Sequence, residues 1–503
     1  MSRVRRNIVA NYVGQIWASL MGFIFAPMYI HFMGIESYGI VGFCTSVAEI
    51  FFMLELGLGI AATRETARYA AVPGNEQALR NLLRTLELIY WLCGVLVGLT
   101  IYGLSDPIAQ WWLKGEKLTQ GVIRNAVIIM GLSLACRWPS AIYMGTLRGL
   151  QKQVLCNVIT GITAGLRAGG SVLVLYWIAP TVQVFFVWRA ITDSLQTLVS
   201  AFASWFSLAD TGSRGTFKLD ILKNIWRFSA GMTTTGVLFF ILNQMDKIVL
   251  STILPLDLFG YYSFAWVVAA SLMGVVYPVT VAVFPLFTEL ISLGDTERLI
   301  HLYHRSAQLL TILIVVPSIL VVLFSAEILF MWTGDPVLVR QTSLILSLLG
   351  AGTGISGLLR LPHLLQISYG WTSLGAAANA VSVVVGIPLL IWLGIHYGVV
   401  GAAFVWPLVN LAQLLVCVPI MHTRIAVGEM WRWYFLDVGA PCVAATVVAL
   451  VLRNIVPEGL SRAESAVWLF IIAAAILLAA CTASPVARGW AIRNVRLIGS
   501  RLK

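Results

Sequence analysis

The feature that most constrains this chain is a succession of apolar segments, each about as long as a membrane is thick. A hydrocarbon core of roughly 30 Å needs about 20 helical residues to cross it. Charged residues make up only 11% of the chain, whereas soluble domains carry about 25%. The pattern therefore predicts an all-α polytopic membrane protein.

About 14 transmembrane helices fit these segments, which leaves both ends of the chain on one side of the membrane. The predicted spans are residues 9–31, 39–62, 85–104, 122–146, 154–177, 183–206, 228–253, 261–284, 306–328, 341–361, 373–394, 399–421, 434–454 and 464–483.

The basic residues give these spans a direction. Of the 33 lysines and arginines, 23 lie on the side of the N-terminus, 6 lie on the opposite side, and 4 lie within spans. Cytoplasmic loops carry such an excess of basic residues. We therefore expect both termini in the cytoplasm. The net charge of +11 follows from this distribution, so it does not indicate a nucleic-acid partner.

Several functional classes lack their sequence signals. The segments between spans are too short for a soluble catalytic domain, and neither a DxD motif nor the Gly-Lys dipeptide of a P-loop occurs. The seven cysteines form no CxxC pair, so neither a zinc site nor a disulfide framework is indicated. We expect a transporter rather than an enzyme, without catalytic residues, cofactor or metal.

An internal repeat divides the chain. The triplet at residues 6–8, RNI, is echoed by KNI at 223–225, and each opens a long apolar run. GIESYGIVGF at 34–43 is likewise echoed by PLDLFGYYSF at 255–264, with an acidic residue, an aromatic residue and glycine in the same order. Repeated halves around a central site are a recurring transporter design.

The N-terminal part of the chain contains a set of motifs: Asn11, Pro27, Gly34 with Tyr38-Gly39, and ELGLGIAATR from Glu55 to Arg64. These motifs resemble those of the Wzx-type polysaccharide flippases, within the multidrug/oligosaccharidyl-lipid/polysaccharide exporter superfamily. Glu55 stands where the family usually has Asp. NQMDKIVLSTILPLDLFGYYSF is similar to the family's seventh and eighth helices.

The resemblance implies a fold of two pseudo-symmetric six-helix bundles around a cavity that opens alternately to either side. On this basis residues 1–210 form the N-terminal bundle and residues 211–425 the C-terminal bundle. Residues 426–503 add two accessory transmembrane helices and a basic cytoplasmic tail.

The resemblance also implies the substrate, an oligosaccharide linked to undecaprenyl pyrophosphate, which is moved across the bacterial inner membrane for cell-surface polysaccharide synthesis. Membrane lipids, the polysaccharide polymerase and the export machinery are the other expected partners. A pyrophosphate is a double anion, and its desolvation in the membrane is prohibitive without counter-charge. The candidate cations are Lys247, Arg137, Arg167 and Arg64, and the candidate sugar-binding residues are Asn11, Gln15 and Asn243.

Three embedded acids are candidates for ion coupling: Glu55, Glu49 and Asp246. Glu55 is the leading one, although a helix-packing hydrogen bond explains it equally well. Asp246 and Lys247 are adjacent, and helical neighbours point about 100° apart. We therefore expect Lys247 to face the cavity while Asp246 pairs with a cation on another helix, Arg137 or Arg167; the alternative has Lys247 extending to the exterior headgroups.

Two further patterns have simple interpretations. Arg189 and Asp193 are spaced i,i+4, which predicts an ion pair on one helix face. His301 and His304 have no third ligand nearby, so they predict an amphipathic cytoplasmic connector rather than a metal site.

Two alternative functions belong to the same superfamily. A multidrug or cation antiporter would favour an acidic cavity, whereas the embedded charges here balance. A lipid II flippase would be expected to carry charges in its first span, where this chain has only Asn11 and Gln15.

Overall fold

The computed structural model describes residue 17 and residues 20–209, 212–221, 244–457 and 459–489, except for the side chains of residues 52–58 and 60. Most of these residues are helical, and the only β-bridge among them is an isolated one between Lys114 and Pro255. Nine helices of the described chain are long and apolar enough to cross a bilayer. The all-α, multi-pass class is thus confirmed, whereas the count of 14 stays a prediction.

The chain forms two compact units, Met1–Gly260 and Tyr261–Lys503. The helices of the first unit are α1 (Leu20–Met33), α2 (Ile35–Ala70), α3 (Glu76–Pro107), α4 (Gln120–Arg137), α5 (Ser140–Gly149), α6 (Gln153–Trp177), α7 (Val182–Ser207) and α8 (residues 244–253). The division into bundles at residue 210 stays a prediction.

The helix α9 (Leu256–Ser271) begins in the first unit and leads into the second. The second unit continues with α10 (Val276–Ser292), α11 (Thr296–Leu323), α12 (Ser325–Thr333), α13 (Pro336–Ser368), α14 (Ser373–Arg424), α15 (Met430–Arg453) and α16 (Arg462–Ala483). The 52 residues of α14 would extend far beyond the roughly 30 Å of a bilayer core. A break at Gly398, with φ 62° and ψ −149°, divides it into two spans.

The packing of α2, α3 and α5 makes a hydrophobic core within the first unit. Leu82, Leu86, Tyr90 and Tyr143 are buried there with the small side chain of Ala62. Each large apolar side chain buried in this way is worth about 1.5–3 kcal/mol in water, but in a membrane close packing replaces much of that term.

The fourth span is broken in its middle. Trp138 and Pro139 separate α4 from α5 within a 30-residue apolar segment. Proline lacks an N–H, and its ring collides with the carbonyl four residues earlier, so a regular helix cannot continue. The carbonyl of Cys136 accepts a hydrogen bond from Thr197 Oγ1 of α7 at 2.8 Å instead. The break leaves Arg137 at the C-terminal end of α4, with its side chain half-buried.

The two copies of the sequence repeat meet where α2 crosses α9. A Cβ on Gly39 would lie 2.2 Å from the carbonyl oxygen of Leu256, and a Cβ on Gly260 would lie 2.4 Å from that of Ile35. Ile35 and Leu256 occupy equivalent positions in the two copies, as do Gly39 and Gly260. The contact is therefore reciprocal, and only glycine permits such a close approach.

Candidate functional site

A hydrogen-bonded ion pair joins three helices of the first unit. Arg167 Nη2 of α6 donates to Asp193 Oδ1 of α7 at 2.5 Å and to Gln196 Oε1 at 2.9 Å. Ser133 Oγ of α4 donates to Asp193 Oδ2 at 2.6 Å. Asp193 is only 3% exposed, so these contacts replace the hydrogen bonds that water would otherwise donate to its carboxylate.

The predicted pair of Arg189 with Asp193 is wrong. The guanidinium of Arg189 lies over the ring of Phe185, 5.9 Å from its centroid. Asp193 faces the neighbouring helices, where Arg167 reaches its carboxylate. Spacing along one helix identified the acid but not its partner. Ser133 and Gln196 carried no signal beyond being polar residues within spans.

A second polar chain joins α2 and α8. Gln244 Nε2 donates a hydrogen bond to Glu49 Oε2. Lys247 Nζ donates to Gln244 Oε1 at 2.9 Å. Gln244 and Lys247 are buried, and Glu49 keeps part of its surface open. The neutral amide of Gln244 thus connects an acid to a cation.

The direction of Lys247 distinguishes its two expected orientations. Its ammonium bonds to the residue one turn earlier on α8, away from residue 254 at the end of that helix. Side chains on a helix incline toward its N-terminus, which agrees with this course. The exterior headgroups lie in the opposite direction according to the predicted topology.

Arg137 differs from Arg167, the other embedded arginine predicted to bind the substrate, because it has no ion-pair partner among the described residues. Its side chain is half-buried, and within the described residues no carboxylate forms an ion pair with it. Its charge lies within electrostatic reach of both Glu49 and Asp193. Placing an uncompensated charge near the bilayer centre costs at least ~2.5–3.5 kcal/mol. Arg137 is therefore a guanidinium between two polar clusters without a direct counter-ion among them.

The remaining predicted residues are distributed more widely. Arg64 is an exposed side chain 4.0 Å from Glu65. Arg167 pairs with Asp193, and the pairing of Asp246 with a cation on another helix stays a prediction. Asn11, Gln15 and Asn243 lie outside the described residues, as does the side chain of Glu55.

Glu36 is a buried acid whose role the sequence did not reveal. Its carboxylate accepts hydrogen bonds from the backbone N–H groups of Glu116, Lys117 and Leu118, at 2.7 to 3.1 Å. It therefore fixes the segment between α3 and α4. The only available signal was the acid shared by the two repeat copies, at Glu36 and Asp257.

The spacing of His301 and His304 had predicted an amphipathic connector, and His304 is the buried residue of the two. It is 3% exposed and lies between the carboxylates of Asp437 and Glu429. His301 is exposed. Among the described residues, no group of three or more His, Cys, Asp or Glu side chains has the arrangement of a metal site.

Comparison with known proteins by sequence gives a family and a relative. A family model described as "Polysaccharide biosynthesis protein" matches residues 4–291. A Shigella flexneri protein that is assigned as an O-antigen transporter is 21% identical over 402 residues, covering 80% of this chain and 93% of that protein.

Solved structures give the fold. The lipid II flippase MurJ, in an inward closed conformation, has a TM-score of 0.72 at 15% identity and covers 94% of this chain and 97% of its own. A multidrug resistance MATE family transporter of the MOP superfamily, in an inward-facing conformation, has a TM-score of 0.65 at 14% identity, with 82% and 96% covered. The likeness establishes a transporter fold.

The family match covers more than half of the chain and includes both copies of the repeat and both polar clusters of the first unit. As the resemblance to the Wzx-type flippases predicted, the chain belongs to the polysaccharide biosynthesis protein family.

Proposed function

We propose that this protein moves an oligosaccharide linked to undecaprenyl pyrophosphate across the bacterial inner membrane, by alternating access of a central cavity, with both termini in the cytoplasm. The observation that carries the proposal is Arg137, a guanidinium within a span that has no carboxylate partner among the described residues. A fixed cation in such a place is expensive. A substrate that brings its own negative charge offsets that cost each time it binds.

Arg137 suits a pyrophosphate chemically. A guanidinium offers parallel N–H donors that match two phosphate oxygens. Arg167 has the same chemistry, but its charge is engaged by Asp193 at 2.5 Å. We therefore assign Arg137 to the substrate and Arg167 to holding the helices in register. Arg64 fits the anionic headgroup at the entrance to the cavity.

Lys247 supplies the second positive charge. Its ammonium points toward Gln244 and Glu49 rather than toward the end of α8. An ammonium is a compact point charge whose N–H groups donate to phosphate oxygens, and its charge acts on a nearby anion while one N–H is bonded to Gln244. Asn11, Gln15 and Asn243 remain candidates for the sugar hydroxyl groups.

Glu49 is the acid that the contacts favour for coupling, with Glu55 and Asp246 as the other candidates. When Glu49 is ionised, its charge opposes that of Lys247 across the Gln244 bridge. A proton on Glu49 removes this opposition and strengthens the hold of Lys247 on an anion. Proton binding and pyrophosphate binding would then favour each other by an equal factor.

The multidrug antiporter is the second candidate because of the shared MATE fold. Its cationic substrates would need an excess of negative charge in the cavity. The embedded residues of this chain are four cations, Arg137, Arg167, Arg189 and Lys247, and four acids, Glu49, Glu55, Asp193 and Asp246, which gives no excess of negative charge. The lipid II flippase is the other alternative, and the first span, with Asn11 and Gln15 in place of charged residues, does not favour it.

The test is the location of lipid-linked oligosaccharide in cells that lack this protein. We expect it to accumulate on the cytoplasmic face and to be exported again when the wild-type chain is restored. Arg137→Gln should restore export roughly 10- to 100-fold less well, because a hydrogen bond to a charged group is worth about 1.5–3 kcal/mol. Arg137→Lys should retain part of the activity.

Arg124→Gln is the matched control. Arg124 lies on the same helix but pairs with Asp106 at 2.6 Å, and both side chains are exposed. It should export normally. Normal export by Arg137→Gln would contradict the proposal, and export of lipid II alone, or of organic cations alone, would favour the corresponding alternative.

A further inference from the structure

A buried polar cluster in the second unit has no part in the proposed transport site. It consists of His304 and Gln308 on α11, Asp437 within α15, Glu429 just before α15, and Ser484 just after α16. Because His304 and Gln308 are spaced i,i+4, they lie on one face of α11. The cluster joins that face to the two C-terminal helices, α15 and α16.

The hydrogen bonds of the cluster form one continuous chain. Ser484 Oγ donates to Gln308 Oε1 at 2.7 Å, and Gln308 Nε2 donates to Asp437 Oδ1 at 2.8 Å. The other oxygen of Asp437, Oδ2, lies against His304 Nδ1. His304 Nε2 lies 3.0 Å from Glu429 Oε2. Each ring nitrogen of His304 therefore faces a carboxylate oxygen.

The number of protons in the cluster follows from this geometry. A neutral imidazole has one N–H, whereas an ionised carboxylate only accepts hydrogen bonds. A neutral His304 between two ionised carboxylates would leave one nitrogen lone pair facing an oxygen lone pair. Both contacts are hydrogen bonds only when the cluster holds one additional proton, on the imidazole or on a carboxyl group.

Burial explains why the additional proton matters. Asp437 is 0% exposed and His304 is 3% exposed, whereas Glu429 is 28% exposed. Water can replace a partner at the Glu429 end but not at the Asp437 end. In a neutral His304 the single N–H therefore lies at Nδ1, facing Asp437, and the contact that is lost is the one between Nε2 and Glu429 Oε2. The cluster thus has a dry inner end and a wet outer end.

A local distortion of α15 occurs at the same place. Residues Trp433–Gly439 form a π-helical segment that contains Asp437. Wide turns of this kind are rare within α-helices and are frequently found at functional sites. Here the segment accompanies the placement of the Asp437 carboxylate against α11.

Few other charges lie near the cluster. Arg432 Nη1 of α15 lies 3.6 Å from Glu429 Oε2, and His422 Nε2 of α14 lies 3.4 Å from the hydroxyl of Tyr303. Within the described part of the second unit, α10, α12, α13 and α16 bring no titratable side chain into hydrogen-bond contact with His304. On α11 itself, His301 and Arg305 are exposed.

We propose that His304, Asp437 and Glu429 form a proton-binding site that fastens α15 and α16 to α11. With the proton bound, both imidazole contacts hold. When it leaves at higher pH, one of them becomes repulsive, and the N-terminal part of α15 loosens from α11. The ligand is the proton itself, and the site is separate from Glu49.

The test is hydrogen exchange of the amides in residues 429–439, measured by mass spectrometry on the full-length protein in lipid nanodiscs between about pH 5 and pH 9. Rates are corrected for the intrinsic pH dependence of exchange. Release of one proton increases local opening by up to about tenfold per pH unit. The wild type should show this rise.

Two isosteric variants should abolish the rise. In Asp437→Asn the introduced amide donates to one ring nitrogen, so neutral His304 satisfies both neighbours without an additional proton. In Glu429→Gln the introduced amide donates to the other ring nitrogen, Nε2, at the partly exposed end of the cluster, where a substitution is better tolerated. Both should therefore show protection that is independent of pH. His422→Gln, the control for the other nearby histidine, should retain the wild-type rise.

Wild-type protection that does not change with pH would overturn the proposal. It would also fail if Glu429→Gln kept the wild-type rise, or if His422→Gln abolished it. Because Glu429→Gln changes a partly exposed residue, it decides the question even when Asp437→Asn does not fold.

Discussion

At the scale of single residues, the ion pair between Asp193 and Arg167 is largely buried and joins α7 to α6. A lone acid within an apolar span predicts a partner, and one exists. The partner is Arg167 on the adjacent helix rather than Arg189 on the same one. The spacing of residues along the sequence shows which side chains lie on the same face of one helix. It does not show how that helix is rotated against its neighbours, because the rotation is set by packing.

Removing Asp193 should therefore be costly. Asp193→Ala leaves Arg167 in the membrane without its counter-ion, and breaking a buried pair in this way costs about 3–5 kcal/mol. We expect a lower melting temperature and a lower membrane abundance. Asp106→Ala breaks the exposed pair with Arg124, where about 0–1 kcal/mol is at stake, and should behave like the wild type. Equal stability of the two variants would refute the buried-pair interpretation.

At the scale of elements, the two copies of the repeat form a close contact between α2 and α9, and the sequence predicted the two helices but not their contact. The aromatic-glycine pairs at Tyr38-Gly39 and Phe259-Gly260 marked the starts of equivalent helices. They did not reveal that each glycine lies against the first turn of the other helix. A reciprocal contact between distant segments cannot be derived from local pattern, because it depends on how the two copies come together.

Gly39→Ala tests this crossing. The new methyl group would meet the carbonyl oxygen of Leu256 at 2.2 Å, so α2 and α9 must separate. Overpacking of this kind costs about 1–3 kcal/mol. We expect a lower melting temperature of the purified protein. Gly22→Ala on α1 is the matched control, because its added methyl group meets nothing within 4 Å. If Gly39→Ala has the same melting temperature as Gly22→Ala and the wild type, the contact between α2 and α9 is not tightly packed.

At the scale of the whole molecule, composition and the period of apolar segments predicted the class, and the N-terminal motifs predicted the family. The contacts of individual side chains were harder to predict from the sequence. Lys247 and Gln244 are three residues apart, so their contact was within reach of helical spacing. The bridge from Gln244 to Glu49, and the burial of His304 against Asp437, join residues more than a hundred positions apart. Only the packed helices bring these groups together.

The central claim is that cations within the membrane carry a pyrophosphate-linked glycan through this fold. Its most direct test is the transfer of lipid-linked oligosaccharide between leaflets of vesicles that contain only the purified protein. We predict transfer by the wild type and by Lys247→Arg, which keeps the charge. Lys247→Ala, incorporated in equal amount and folded, should show none above protein-free vesicles. Wild-type transfer by folded Lys247→Ala would contradict the account.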